Sequence, residues 1–222
     1  MRVLLIDGYI DDPGSARFFE PLLAARVDVV RAPYVPLDRP LDEVDAVVVS
    51  GSRASANDDE PWVHRARDYL AAAVARDVPV LGVCFGHQLL AAAVGGTVRE
   101  RATPEVGFFP VELGPDPLLG ALGSCVVPFI THGDEVAPSA GIEVLGRSEA
   151  CEVQAFRVPG RRAWGIQFHL EYDRAEQERI LRLRSELHPE LRLDPVRELA
   201  RGRDTTSDGR RLMDRFLALA RG

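Results

Sequence analysis

The segment spanning residues 78–96 constrains the fold of this chain more than any other part of it. Residues 78–83 form a short apolar run, and in the turn that follows, glycines stand two residues before and two residues after Cys84. An apolar, alanine-rich stretch comes next and stops at Gly95-Gly96. Short apolar runs are typical of strands buried on both faces, and glycine commonly ends a helix. The segment therefore predicts a buried strand that turns sharply into a helix at Cys84.

Cys84 itself has two interpretations. The pattern Gly-x-Cys-x-Gly has the form of a tight strand-to-helix turn that presents a nucleophile, because small flanking residues allow the backbone to bend. A thiol in that turn lies at a helix N-terminus, where the helix dipole favours the thiolate. A free cysteine is also often a small buried core residue. This segment alone leaves both interpretations open.

The composition limits the class of protein. The chain has 222 residues, 46% hydrophobic and 27% charged, which suits one large domain spanning residues 1–222. Its net charge of −7 argues against a nucleic-acid partner. We expect no membrane span, because no apolar run approaches the roughly 20 residues required. Three cysteines without metal-ligand spacing predict a reduced, cytoplasmic protein with no metal and no cofactor.

Strand and helix patterns alternate over the first hundred residues and then change. Strands are predicted at residues 2–7, 27–32, 44–50 and 78–83, with helices at 15–25, 61–76 and 89–94. This alternation is typical of a mostly parallel sheet covered on both faces. Further strands are predicted at residues 97–111, 126–131, 142–148, 152–158 and 162–168, as antiparallel additions to the same sheet.

The last fifty residues are predicted to be helical. Helices are predicted at residues 174–185, 194–201 and 207–220. Leu212, Phe216 and Leu219 fall at helical spacing, so the last helix should dock one apolar face. The fold class expected is therefore an α/β three-layer sandwich with extra C-terminal helices over residues 173–222.

His169 and Glu171 follow the last predicted strand. Two residues apart in an extended backbone, they lie on the same face, so Glu171 can accept a hydrogen bond from His169. A cysteine, a histidine to take its proton and a carboxylate to orient the histidine form a nucleophilic triad. Most isolated His-x-Glu pairs are structural, but this one stands where active sites of α/β sheets gather.

Three motifs together resemble the class I glutamine amidotransferases. They are Gly82-Val-Cys84-Phe-Gly86-His-Gln88, Thr131-His-Gly-Asp134 and Gln167-Phe-His169-Leu-Glu171. Their order and separations agree with that family over roughly residues 2–172, and residues 51–62 are similar to stand-alone members. The resemblance implies a flavodoxin-like sheet and hydrolysis of a γ-glutamyl amide.

The resemblance also implies a role for each matching residue. Cys84 would attack the γ-carbonyl and form a γ-glutamyl thioester. His169 would act as the general base and then protonate the leaving amine, and Glu171 would orient His169. The remaining implied residues are Gly51 and Phe85, whose backbone N–H groups would hold the oxyanion, and Gln88 and Asp134, which would bind the substrate.

Two features depart from the family. Leu170 stands where the family usually has proline between its His and Glu, and it removes no catalytic atom. The tail after residue 172 is longer than the single helix that usually closes the fold. It could form a lid, form an interface or pack on the domain, and we expect it to pack.

Among the other candidates, we expect His87 to point away from Cys84, His132 to support the site, and Cys125 and Cys151 to lie in the core.

Three functions remain open. The first is a glutaminase that supplies ammonia to a partner synthase, since the chain carries no synthetase half of its own. The second is a stand-alone hydrolase or peptidase for a γ-glutamylated small molecule or peptide. The third, a non-enzymatic relative, is disfavoured because all three triad residues are present. An α/β-hydrolase is disfavoured as well, because there the acid precedes the histidine in the chain.

Overall fold

The computed structural model describes residues 1–11 and 13–222. Its strands, in chain order, are β1 (Arg2–Asp7), β2 (Arg26–Arg31), β3 (Ala46–Val49), β4 (Val80–Val83), β5 (Thr97–Phe108), β6 (Val111–Leu113), β7 (Cys125–Val126), β8 (Phe129–Ala137), β9 (Glu143–Arg147), β10 (Ala155–Arg157) and β11 (Ala163–Ile166). Its α-helices are α1 (Ala16–Phe19), α2 (Pro61–Ala75), α3 (Phe85–Ala93), α4 (Arg174–Leu187), α5 (Pro195–Arg201) and α6 (Thr206–Arg221).

Nine strands form one twisted sheet in the order β2-β1-β3-β4-β11-β10-β9-β6-β7. The first five in that order are parallel, and the other four add antiparallel to their edge. Residues on β3, β4 and β11 are in register, with Val49 beside Gly82 and Gly82 beside Gly165. The carboxyl ends of these three neighbouring strands therefore lie together at one edge of the sheet.

The two faces of the sheet bury separate cores, as alternation along β1 illustrates. Val3 and Leu5 pack with Leu212 and Phe216 of α6. Leu4 and Ile6 point the other way, into a core that includes α2 and α3. Side chains in a strand alternate between faces, so a strand that is apolar throughout requires a helical layer on each side. The predicted three-layer α/β sandwich is confirmed, and the apolar face of the last helix docks as expected.

Proline explains three of the places where the element boundaries differ from the prediction. The helix predicted over residues 15–25 stops after α1 and continues as a 3-10 turn at Glu20–Leu22, because Pro21 has no N–H to donate. Pro128 separates β7 from β8, and Pro110 separates β5 from β6. A proline cannot donate to a strand ladder, so each apolar run is divided in two.

The pairing of β5 with β8 is the main topological difference. We expected all later strands to extend the main sheet, but these two form a separate antiparallel ribbon. The ribbon packs through Val106, Phe108 and Phe129 against Ile180 and Leu181 of α4. Helix α4 therefore joins the ribbon rather than the main sheet. No helix among residues 1–11 and 13–222 is both long and apolar enough to cross a membrane.

Candidate functional site

Cys84 lies in a strained turn between β4 and α3. Its backbone has φ 53° and ψ −106°, a conformation that costs energy for any residue with a β-carbon. The glycines around it are required by close backbone contacts. A β-carbon on Gly82 would lie 2.3 Å from the Gly86 carbonyl oxygen, and one on Gly86 would lie 2.4 Å from the Val49 carbonyl oxygen.

Gly82→Ala tests this turn. The new methyl group would meet backbone atoms that have no rotamer to change, so β4 and α3 must separate. We expect a loss of about 1–3 kcal/mol in the free energy of unfolding, together with slower alkylation of Cys84. Gly120→Ala is the matched control, because a β-carbon there meets nothing within 4 Å. Equal stability of the two variants would contradict this account of the turn.

The three neighbouring strand ends bring distant parts of the chain together. Gly51 follows β3, Cys84 follows β4, and His169 lies three residues beyond β11. A β-carbon built on Gly51 would be 3.2 Å from His169 Cε1 and 3.6 Å from Cys84 Cβ. A side chain at position 51 would therefore crowd the His169 ring and contact Cys84. The His169 backbone is anchored in turn by its N–H, which donates to the Phe129 carbonyl at 2.8 Å.

His169 and Glu171 form a buried ion pair. His169 Nδ1 lies 2.7 Å from Glu171 Oε1, and both side chains are almost fully buried. Burial disfavours the charged ring, but the charges of Glu171 and Cys84 outweigh it and raise the pKa of His169 to about 10. Among the described residues, His169 Nε2 has no hydrogen-bond partner. The Tyr172 ring stacks on the imidazole at 4.4 Å between centroids and fixes its plane.

Leu170 contributes through its backbone. Its N–H donates to Glu171 Oε2 at 3.0 Å, so both oxygens of the carboxylate are held. Proline, the usual residue of the family at this position, has no N–H and could not make this bond. The departure noted in the sequence therefore adds a hydrogen bond to the carboxylate.

A narrow cavity of about 70 Å³ opens beside Cys84 and His169. Helix α4 supplies one wall, with Arg179, Ile180, Leu183, Arg184 and Leu187. Strand ends and loops supply the rest, including Tyr9, Ser52, Arg53, Thr131 and Tyr172. The Cys84 thiol points toward the Thr131 carbonyl, 3.8 Å away. The expectation that the tail only packs is incomplete, because α4 lines the cavity.

The two amides predicted as oxyanion donors belong to neighbours of Cys84, Phe85 in sequence and Gly51 in space. Phe85 is the first residue of α3, and the first N–H groups of a helix have no intrahelical acceptor. The Gly51 N–H donates no hydrogen bond to any residue that the structure describes. Both groups are thus available to an oxygen atom near Cys84. Their role stays a prediction.

Gln88 and Asp134 are linked to each other rather than to the cavity. Gln88 Nε2 donates to the Asp134 carbonyl at 2.9 Å and to Gln167 Oε1 at 3.1 Å. The Asp134 carboxylate accepts from the Ser55 hydroxyl at 2.5 Å. Neither side chain is among those that line the cavity. Their predicted contact with the substrate stays a prediction.

The other histidines and cysteines lie apart from the cavity. His87 is buried against Phe156, and burial lowers its pKa to about 3. His132 bridges the Asp134 carbonyl at 2.8 Å and Glu105 Oε2 at 3.0 Å, in a buried cluster with Cys151. Burial also raises the pKa of the Cys151 thiol to about 12. The prediction that Cys125 is a core residue is wrong, since it is exposed at the end of the sheet.

Several cavity residues had no clear signal in the sequence. Tyr172 directly follows Glu171, and Thr131 opens the second motif, so adjacency to a motif was the only clue to either. Tyr9 donates to or accepts from Tyr172 across 2.6 Å and lies more than 160 residues earlier in the chain. Arg184 depends on how α4 docks, which no local pattern specifies.

Comparison with known proteins identifies the family of this chain. Residues 21–185 match the family model described as glutamine amidotransferase class-I. Over 139 residues the chain is 35% identical to one of the subunits of the glutamine-hydrolyzing GMP synthase of Sulfolobus acidocaldarius, an alignment that covers 62% of this chain and 72% of that protein. It is 34% identical over 168 residues to the glutamine-hydrolyzing GMP synthase of a Parafrankia species, covering 72% of this chain but only 30% of that longer protein.

A solved structure has the same fold. The glutamine amidotransferase of Thermotoga maritima superposes with a TM-score of 0.83 at 24% identity, covering 99% of this chain and 97% of that one. The family match covers most of the chain, and it includes the turn at Cys84 and the pair His169–Glu171. The chain is an enzyme that belongs to the class I glutamine amidotransferase family.

Proposed function

We propose that this protein hydrolyses the γ-amide of glutamine through a triad of Cys84, His169 and Glu171. The observation that carries the proposal is a cavity lined by Cys84, in its strained turn, and by His169. The Nδ1 atom of His169 is hydrogen-bonded to the Glu171 carboxylate. With Nδ1 bonded to Glu171, the unpartnered Nε2 is the atom left to exchange a proton with Cys84.

The reaction proceeds in two halves. Because the pKa of His169 is raised to about 10, its Nε2 already holds the proton given up by the Cys84 thiol when the sulfur bonds to the γ-carbonyl carbon. The oxyanion accepts hydrogen bonds from the Gly51 and Phe85 N–H groups, each worth about 3–4 kcal/mol in comparable sites. The C–N bond then breaks as His169 returns the proton to the amine, which leaves as ammonia. Water, deprotonated by His169, hydrolyses the thioester to glutamate and frees the thiol.

We further infer that the ammonia serves a partner synthase. The Sulfolobus relative is named as one part of a glutamine-hydrolyzing synthase, and the chain matches only 30% of the Parafrankia GMP synthase. The alternative is a stand-alone γ-glutamyl hydrolase. It is favoured by helix α4, because this helix belongs to the chain itself and closes one side of the cavity without a partner protein.

Turnover by the purified chain tests both functions. Ammonia and glutamate are measured with glutamine, and free amine with a panel of γ-glutamyl amides and peptides. The glutamine reaction is repeated with a GMP synthase polypeptide that lacks its own glutaminase. We expect glutamine to be cleaved, with a higher rate when the partner is present. Faster cleavage of one γ-glutamyl conjugate by the chain alone would favour the hydrolase, and no cleavage of any γ-glutamyl compound would contradict both.

A further inference from the structure

Three guanidinium groups line the cavity, and two of them are already neutralised. Arg53 pairs with Asp11 at 2.7 Å. Arg179 makes two bonds to the Glu176 carboxylate, at 2.8 and 2.7 Å. These two cations therefore carry little charge that a ligand could use.

Arg184 differs from them. Its Nε donates to the Thr131 hydroxyl at 3.1 Å, and within residues 1–11 and 13–222 no carboxylate lies within ion-pair distance of it. Burial lowers the pKa of Arg184, and the charge of Cys84 opposes that shift. A partly desolvated cation without a counter-ion is costly, and such groups are commonly found where a ligand supplies the missing charge.

Thr131 fixes the position of this cation relative to the nucleophile. Its hydroxyl accepts from Arg184 Nε at 3.1 Å, and its carbonyl lies 3.8 Å from the Cys84 sulfur. One residue of β8 thus joins the sulfur to the guanidinium of α4, and all three groups line the same cavity. Because Nε is engaged, the two terminal nitrogens of Arg184 remain to face an incoming group. A planar pair of N–H donors matches the geometry of a carboxylate.

We propose that Arg184 binds the α-carboxylate of the γ-glutamyl substrate and so sets the specificity of the site. This deepens the function proposed above and depends on it for the identity of the ligand. Glutamine has one carboxylate, separated from its reacting amide by a short chain. The cavity has one unpaired cation among the described residues, and Thr131 alone links that cation to the sulfur. Amides that lack this carboxylate leave Arg184 unpaired and are poor substrates.

Alkylation of Cys84 tests the anion site without any assumption about the substrate. Iodoacetate carries a carboxylate, whereas iodoacetamide is neutral and of nearly the same size. The ratio of their rate constants at Cys84, followed by peptide mass spectrometry, is compared in wild type, Arg184→Gln and Arg182→Gln. Arg182 lies on the same helix but is exposed and paired with Glu178, so it controls for net charge.

We expect Arg184→Gln to lower the iodoacetate-to-iodoacetamide ratio about tenfold, equivalent to about 1.4 kcal/mol. Arg182→Gln should change it less than twofold, and Arg184→Lys should retain part of the preference. An unchanged iodoacetamide rate in Arg184→Gln shows that the cavity is intact. An equal ratio in wild type and Arg184→Gln would overturn the proposal.

A substrate pair separates this proposal from the proposed function. Wild type should prefer glutamine to 4-aminobutanamide, which lacks only the α-carboxylate, and Arg184→Gln should lose most of that preference through kcat/KM. If glutamine is hydrolysed but the preference survives the substitution, the proposal that Arg184 binds the carboxylate is wrong, whereas the proposed hydrolysis of glutamine still holds. If the alkylation ratio responds but no amide is cleaved, the anion site stands and the proposed function fails.

Discussion

Cys84→Ala is expected to reduce glutamine hydrolysis by about 10⁶-fold, to the background of the assay, as loss of the nucleophile does in other triad enzymes. No other sulfur can substitute, because Cys125 is exposed at the far end of the sheet and Cys151 is buried outside the cavity. Hydrolysis is measured as ammonia release at saturating glutamine.

The substitution should leave the fold intact. Alanine keeps the β-carbon that the strained turn already accommodates, and it removes only one buried sulfur atom. We expect the free energy of unfolding to change by less than about 1.5 kcal/mol. Cys125→Ala is the matched control, with activity near that of wild type. Substantial turnover by a folded Cys84→Ala protein would remove Cys84 from the mechanism.

Replacement of His169 should give the second largest effect, a loss of at least about 10³-fold in kcat. Without the imidazole, nothing in the described cavity both accepts the thiol proton and returns it to the leaving amine. The neighbouring groups are the phenols of Tyr9 and Tyr172, and burial raises the pKa of each well above its usual range.

The choice of substitution at His169 matters for stability. His169→Ala leaves the Glu171 carboxylate buried without its partner, which typically costs about 3–5 kcal/mol. His169→Gln offers an amide N–H to the same carboxylate and should unfold at a temperature closer to that of wild type. Both variants should lose activity equally if the ring is the base. A His169→Gln protein with near-normal turnover would exclude that role.

The turn at Cys84 and the pairing of His169 with Glu171 could be predicted from the sequence because both are local features of the chain. Gly82 and Gly86 predicted the turn at Cys84 because a tight backbone approach leaves room for no side chain, and each has a backbone oxygen within 2.4 Å of its missing β-carbon. His169 and Glu171 were predicted to pair because alternation in an extended backbone is a local property. The roles of these residues, the assignment of residues 1–222 to one domain and the substrate contacts of Gln88 and Asp134 stay predictions.

The pairing of β5 with β8 and the docking of α4 could not be predicted from the sequence, for a physical reason. Strands β5 and β8 have the apolar pattern of sheet members, but a pattern does not state which partner receives the hydrogen bonds. The amphipathic helix α4 was expected only to pack, because periodicity identifies its buried face and not what that face covers. Its wall of the cavity, with Arg184, follows from its docking on the β5–β8 ribbon.

The sequence by itself determined the family, the order of strands and helices over the first hundred residues, and the strained turn, because each is encoded by neighbours along the chain. Only the tertiary structure decided that Gly51, Cys84 and His169 meet at one edge of the sheet, since that depends on β3, β4 and β11 lying side by side in register. It also decided that Arg184 faces the cavity without a counter-ion among the described residues, because packing sets the surroundings of a charge and local sequence does not.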